Sequence, residues 1–354
     1  MQSSSGKYYP GLDHVRALAA FLVVTWHFTH GETGSPVPFG QAPALGLIDE
    51  GHVGVALFMT LSGYLFAKLI AGRPIHYGAF LWNRALRLLP LISLVLLVVG
   101  VLYFRGKEAD YLVKIGKGIF LPVLPNGIWS VTTEIHFYVF LPLLLWVSAR
   151  WNWAPLALVA AALCIRLAIL ASGANIQDAA YWTIIGRFDQ FALGIFFYRR
   201  RVTGRFALTA GVALATFYAA FDMAGGFYGA PDRLWVFIPT IEGLSLGALI
   251  AWYDANPIRS PMMWLVQKAG EYSFSIYLLH FFIVFEFAPF IHQHIMRLDS
   301  LYVALPWSML FFVAMIGVGH FSYIFIERPP MRFRKPYIKT REPVRVPAFA
   351  GQAA

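Results

Sequence analysis

Residues 13–27 read DHVRALAAFLVVTWH, an apolar run of membrane grade with ionisable groups at both ends. Asp13, His14 and Arg16 open it and His27 closes it. A charged group on a lipid-facing helix is costly, so the stripe that carries these residues must face a bundle interior or a wet cavity. Arg16 and His27 are eleven residues apart, which is about 16 Å along a helix and within about 20° of three full turns. Both side chains therefore leave the helix from one stripe.

The rest of the chain names the same solvent. Of 354 residues, 58% are hydrophobic and only 13% charged, against roughly a quarter charged in soluble domains. The formal charge of +10 could suggest nucleic acid, but the basic residues sit in short connectors between apolar runs rather than on a soluble basic face. No nucleic-acid partner is expected. Cys164 is the single cysteine, which excludes a disulfide framework and reads as a small buried hydrophobe. The first apolar run has no small-residue cleavage site, so no cleaved leader is expected.

With about 20 residues needed to cross the hydrocarbon core, about ten segments qualify, near 12–29, 51–71, 85–104, 128–148, 153–171, 182–198, 206–222, 234–252, 272–290 and 304–326. The fold class is an all-α integral membrane protein. Threading these segments with the N-terminus inside puts 19 of the 28 Lys and Arg on the inner side and six outside, leaving Arg16, Arg166 and Arg187 within helices. Both termini are therefore expected in the cytosol. The outer connector RGKEADYLVKIGK, 105–117, runs against that rule and reads as an amphipathic surface segment. The expected layout is a cytosolic segment 1–11, a membrane domain 12–329 and a basic, Pro-containing, solvated tail 330–354.

Seven elements in order now resemble the membrane acyltransferase-3 family. They are Leu12–Asp13 with Arg16 and His27; VGVALFMTLSGYLF (53–66); NRALRLLP (83–90); IWSVTTEIHFYVFLPLL (128–144); GRFDQFALGIFF (186–197); YSFSIYLLHFF (272–282); and IERP (326–329). The resemblance implies an acyl-CoA-dependent O-acyltransferase in a bacterial inner membrane. It would move an acyl group, usually acetyl from acetyl-CoA, to a hydroxyl of a surface polysaccharide or lipid-linked sugar. A small secreted glycoside such as a macrolide sugar is also compatible. The competing class is a transporter or flippase, for which intramembrane Arg, Asp and His serve equally well.

Within that frame the residues take roles. Arg84 and Arg87, three apart and so on one helix face, suit the phosphates of CoA. Arg16 is either a third contact to the donor or the partner of Asp13, one turn earlier. Ser130, Glu134 and Tyr138 form one stripe at the depth of His27. His27 is the expected base or transient acyl carrier, with Glu134 orienting it or binding the acceptor. His280 and Tyr277 line the path or pack. Arg187 and Asp189 read as pairing with other helices, and Glu327 as a helix end. His30, His52, His292 and His294 read as ordinary outer-surface residues, and no set of ligands has metal spacing.

Overall fold

The computed structural model describes residues 9–30, 37–38 and 40–339, which are overwhelmingly helical. The main helices are α1 (Pro10–Thr29), α2 (Val53–Ile70), α3 (Tyr77–Tyr103), α4 (Glu108–Lys117), α5 (Ile128–Arg150), α6 (Ala154–Ala171), α7 (Ile184–Tyr198), α8 (Gly204–Met223), α9 (Ile238–Ala255), α10 (Trp264–Glu271), α11 (Ser273–Leu279), α12 (Phe281–His294) and α13 (Leu301–Ser322). A helix overlaps each of the ten expected segments. Six are long and apolar enough to cross a membrane, or seven when α11 and α12, bent by 63°, count as one broken span. The chain is a multi-pass membrane protein.

The helices that miss that measure are interior ones. α1 and α9 carry ionisable residues, and α7 has only 15 residues. A helix enclosed by other helices need not be apolar enough for lipid, because its polar groups meet protein. Burial sorts the bundle in the same way: 83% of the α2 window is covered, against 28% for α3, α6 and α8. The inner helices pack closely where side chains vanish. A Cβ on Gly63 of α2 would stand 2.1 Å from the Phe191 carbonyl, and one on Gly194 of α7 would stand 2.1 Å from that of Thr60. Small residues on both helices let the backbones touch, which is how membrane helices gain contact without a hydrophobic drive between them.

Buried charges tie the interior together. Arg166 of α6, fully buried, donates to Asp189 (2.7 Å), Thr240 (2.7 Å) and the Val236 carbonyl (2.7 Å). Arg187 lies 3.5 Å from Glu242, which also accepts from Gln190 at 2.7 Å and Tyr218 at 2.5 Å. Arg187 and Asp189 thus pair across helices, each with a partner on another helix.

Four expectations are corrected. Cys164 is exposed on α6, on the face turned away from the bundle. His52 is buried, beside buried Asp49, Glu50 and Asp222, rather than on the surface. α3 begins at Tyr77, eight residues before the expected start, so Arg84 and Arg87 lie two to three turns inside it. The segment after Pro329 is docked over residues 330–339: Asn83 exchanges hydrogen bonds with Lys335 (2.7 and 2.9 Å), His76 N–H donates to the Tyr337 carbonyl and Tyr337 is buried. The remainder of the expected tail, 340–354, lies outside the described residues, as do residues 1–8.

Candidate active site

Two cavities meet at the Arg16 end of the bundle. The inner chamber, about 110 Å³, lies among α1, α2, α3, α5 and α11 and is lined by Arg16, Arg84, Arg87, Ser130, Glu134, Tyr138 and Tyr277 with apolar walls from Val55, Phe58 and Phe66. The second, a vestibule of about 740 Å³, is bounded by Arg16, Arg87, Lys268, Arg328 and Arg334, with Glu271, Tyr272 and His320. Arg16 and Arg87 line both. They form the throat between a basic antechamber and a smaller, less charged room.

Each throat arginine is held by a buried carboxylate. Arg16 Nη1 donates to Asp13 at 2.9 Å, one helical turn back, as one of its two expected roles had it. Arg87 Nη1 lies 2.8 Å from Glu327, whose side chain is fully buried. Glu327 also accepts from Ser275, whose hydroxyl oxygen lies 2.9 Å from that of Ser322 and is left to accept from it. A π-helical turn over Tyr323–Glu327 brings this carboxylate inward; such turns shift the register by one residue and recur at functional sites. Glu327 is therefore more than the helix end expected of it. Arg84 lines only the inner chamber, its guanidinium 5.2 Å from the Phe66 ring centroid. The two arginines expected at the CoA phosphates thus share the inner chamber, but only Arg87 also reaches the vestibule and is paired with an acid.

Ser130, Glu134 and Tyr138 do share the chamber, as their spacing on α5 required. Glu134 accepts a hydrogen bond from Ser62 at 2.6 Å. Ser62 was missed in the sequence because hydroxyls in apolar helices are common, and only the fold shows which acid one faces. Ser130 and Tyr277 hydroxyls lie 2.7 Å apart, and both stand within reach of the Gly127 carbonyl, at 2.9 and 3.2 Å. Gly127 has φ +71°, and a Cβ there would lie 2.8 Å from the Tyr277 oxygen. Only glycine gives this turn both its left-handed backbone and its room.

His27 stands in the last turn of α1, half-buried and beyond the chamber. Its Nδ1 lies 2.8 Å from the Val23 carbonyl and 3.3 Å from His280 Nε2. His280, fully buried at the break between α11 and α12, has Nδ1 3.0 Å from the Ile276 carbonyl. A carbonyl only accepts, so both Nδ1 atoms carry the proton. The His280 Nε2 lone pair then faces His27 Nδ1–H, and among the described residues His27 Nε2 is left as a bare acceptor. The expected partnership of His27 with Glu134 is not what the structure shows: the ring bonded to His27 is His280, and Glu134 is bonded to Ser62. Tyr277 connects the two regions, lining the chamber with its ring 6.2 Å from that of His280.

A basic vestibule, a throat and a histidine whose Nε2 is an acceptor thus make up the candidate site. An acyltransferase domain model, acyltransferase-3, matches residues 9–326. The chain belongs to the acyltransferase-3 family. It is similar to the peptidoglycan O-acetyltransferase OatA of Listeria monocytogenes, 26% identical over an alignment of 175 residues that covers 42% of this chain and 26% of that protein. It is also similar to Bacillus subtilis YrhL, provisionally named a peptidoglycan O-acetyltransferase, 28% identical over an alignment of 169 residues that covers 40% of this chain and 24% of the relative. The chain spans about a quarter of the length of these curated relatives. No solved structure matches it. The two cavities are the candidate machinery of this acyltransferase-3 domain.

Proposed function

We propose that this protein transfers an acetyl group from cytosolic acetyl-CoA to a hydroxyl of a sugar, in a surface polysaccharide, peptidoglycan strand or lipid-linked glycan, in a bacterial cytoplasmic membrane. The observation that carries the reading is the pair of cavities joined at Arg16 and Arg87. A donor with phosphates at one end and a thioester on a neutral arm needs a basic room, a narrow passage and a small room, in that order. Lys268, Arg328 and Arg334 are placed for the phosphates, where charge-assisted hydrogen bonds are strongest. The pantetheine arm passes the throat, and the thioester reaches the chamber of Ser130, Glu134 and Tyr277. The relatives named as O-acetyltransferases support acetyl as the group and a glycan as the acceptor.

In this reading the acceptor arrives from the His27 end of the bundle, which the excess of basic residues at the Arg16 end makes the outer side. His27 Nε2 removes the hydroxyl proton as the oxygen attacks the thioester carbonyl. The Arg84 guanidinium stabilises the oxyanion together with one hydroxyl of the Ser130–Tyr277 pair, turned to it from the Gly127 carbonyl. The carbon–sulfur bond then breaks, and the imidazolium returns its proton to the departing thiolate. Glu134, oriented by the hydrogen bond it accepts from Ser62, binds the acceptor or donor arm by accepting a further hydrogen bond. Transient acylation of His27 is the second route, favoured by its position beyond the chamber rather than inside it.

The test is binding of CoA to the purified full chain. K268A/R328A/R334A is expected to weaken it at least about tenfold, the loss of about 1.4 kcal/mol in charge-assisted contacts. Unchanged affinity overturns the donor site.

A further inference from the structure

The connector that runs against the positive-inside pattern has a structural account. It folds as α4, Glu108–Lys117, at the end of α3 farthest from the vestibule. Tyr111 pins it back along α3: its hydroxyl donates to the Leu96 carbonyl at 2.7 Å, its ring stacks on Phe104 at 4.5 Å, and it fills the space left by Gly100. α4 therefore lies beside the last two turns of α3, whose own Leu97 and Val101 are exposed. It does not project beyond the bundle.

At about 100° per residue, Ala109, Leu112, Val113 and Gly116 fall within about a third of a turn, away from Tyr111. That face is bare: Leu112 is 67% exposed and Val113 57%, and Phe120, just past the helix, is 80% exposed. Lys117 stands at its margin, while Lys107 and Lys114 lie on the other side of the helix, Lys114 with its Nζ 5.4 Å from the Phe104 ring centroid. An apolar face open at the depth of a lipid-facing helix end, on a helix whose lysines stand off that face, is the pattern of a helix lying in a membrane interface. Lysines there meet anionic headgroups, which explains their presence on a side where basic residues are otherwise few.

We propose that α4 is an interfacial anchor, with its Leu112–Val113 face buried at the acyl–headgroup boundary of the outer leaflet and Lys107, Lys114 and Lys117 bound to anionic lipid headgroups. The test uses the full chain with Cys164→Ser and a single cysteine, at Leu112 or at Asp110, carrying an environment-sensitive fluorophore. The protein is placed in nanodiscs of phosphatidylcholine, with or without phosphatidylglycerol, containing lipid spin-labelled near the headgroup end of the acyl chain. The Leu112 label is expected to shift to the blue and lose fluorescence to the spin label, while the Asp110 label does neither. Phosphatidylglycerol is expected to deepen the quenching at Leu112, and K107Q/K114Q/K117Q to abolish that increment. A Leu112 label that remains aqueous and unquenched overturns the anchor, whatever else covers the face in cells. A lipid increment that survives the triple substitution overturns the role of the lysines.

Discussion

Replacing Glu327 with Gln probes the throat. The variant keeps the shape and one acceptor oxygen but removes the only acid at hydrogen-bond distance from Arg87 among the described residues. Breaking a buried ion pair by removing one partner costs about 3–5 kcal/mol. The amide can retain one neutral hydrogen bond worth about 1 kcal/mol, so the expected loss is about 2–4 kcal/mol. That loss divides between the fold and the donor. In detergent, Tm should fall by several degrees; in a steady-state assay with acetyl-CoA varied, KM for the donor should rise while KM for the acceptor holds. The double variant R87M/E327L separates the two effects. A well-packed apolar pair replaces a buried salt bridge at little cost, so Tm should recover while the donor KM stays high. If Glu327→Gln alters neither Tm nor donor KM, the reasoning about the throat is refuted.

Other consequences follow from the same geometry. His280→Leu removes one of two acceptors for His27 Nδ1–H and leaves Val23, so kcat should fall about tenfold, the value of one hydrogen bond of about 1.4 kcal/mol, with donor affinity intact; a full-rate variant would leave His280 a packing residue. Asp189→Asn leaves Arg166 buried without its counter-charge and should destabilise the bundle by about 3–5 kcal/mol, read as lost folded yield and lowered Tm; a variant as stable as the parent would contradict the buried network. Burial, with the neighbouring Asp222 carboxylate, pushes Asp49 up to about 8, and burial with both of these acids pushes Glu50 up to about 9. His52, held neutral by burial, supplies no counter-charge. The folded chain therefore holds protons that the unfolded chain releases above the usual carboxylate range of about 4, and stability should decline as pH rises from there to about 9. Glu50→Gln should flatten the decline in Tm measured from pH 5 to 9, and an unchanged slope would contradict it.

Much of this was legible because an ionisable residue in an apolar segment is rare and has to face protein. That alone put Arg16 and His27 on one stripe and aligned Ser130, Glu134 and Tyr138 along α5. Period fixes a face, not the neighbour across from it. Glu134, read as orienting His27 or binding the acceptor, is bonded to Ser62, and His280, read as lining the path or packing, bonds with His27. Hydropathy also misplaced the start of α3, because its first two turns, Tyr77–Leu81 onward, include the polar Asn83 and Arg84 and pack on the docked 330–339 segment rather than on lipid. The π turn at Tyr323–Glu327 leaves no mark in a 3.6-residue pattern, so Glu327 looked like an ordinary helix end. Cys164 was assigned inward by residue type alone, yet on a lipid-facing helix an apolar side chain is as well placed outward.

The central claim is that His27 performs proton transfer on a hydroxyl while the donor is held some distance along α1. Its most direct test is His27→Ala in the reconstituted full chain, supplied with labelled acetyl-CoA and a glycan acceptor. The expected result is loss of labelled product to background, with CoA affinity and Tm equal to the parent. Transfer at the parental rate would contradict the account.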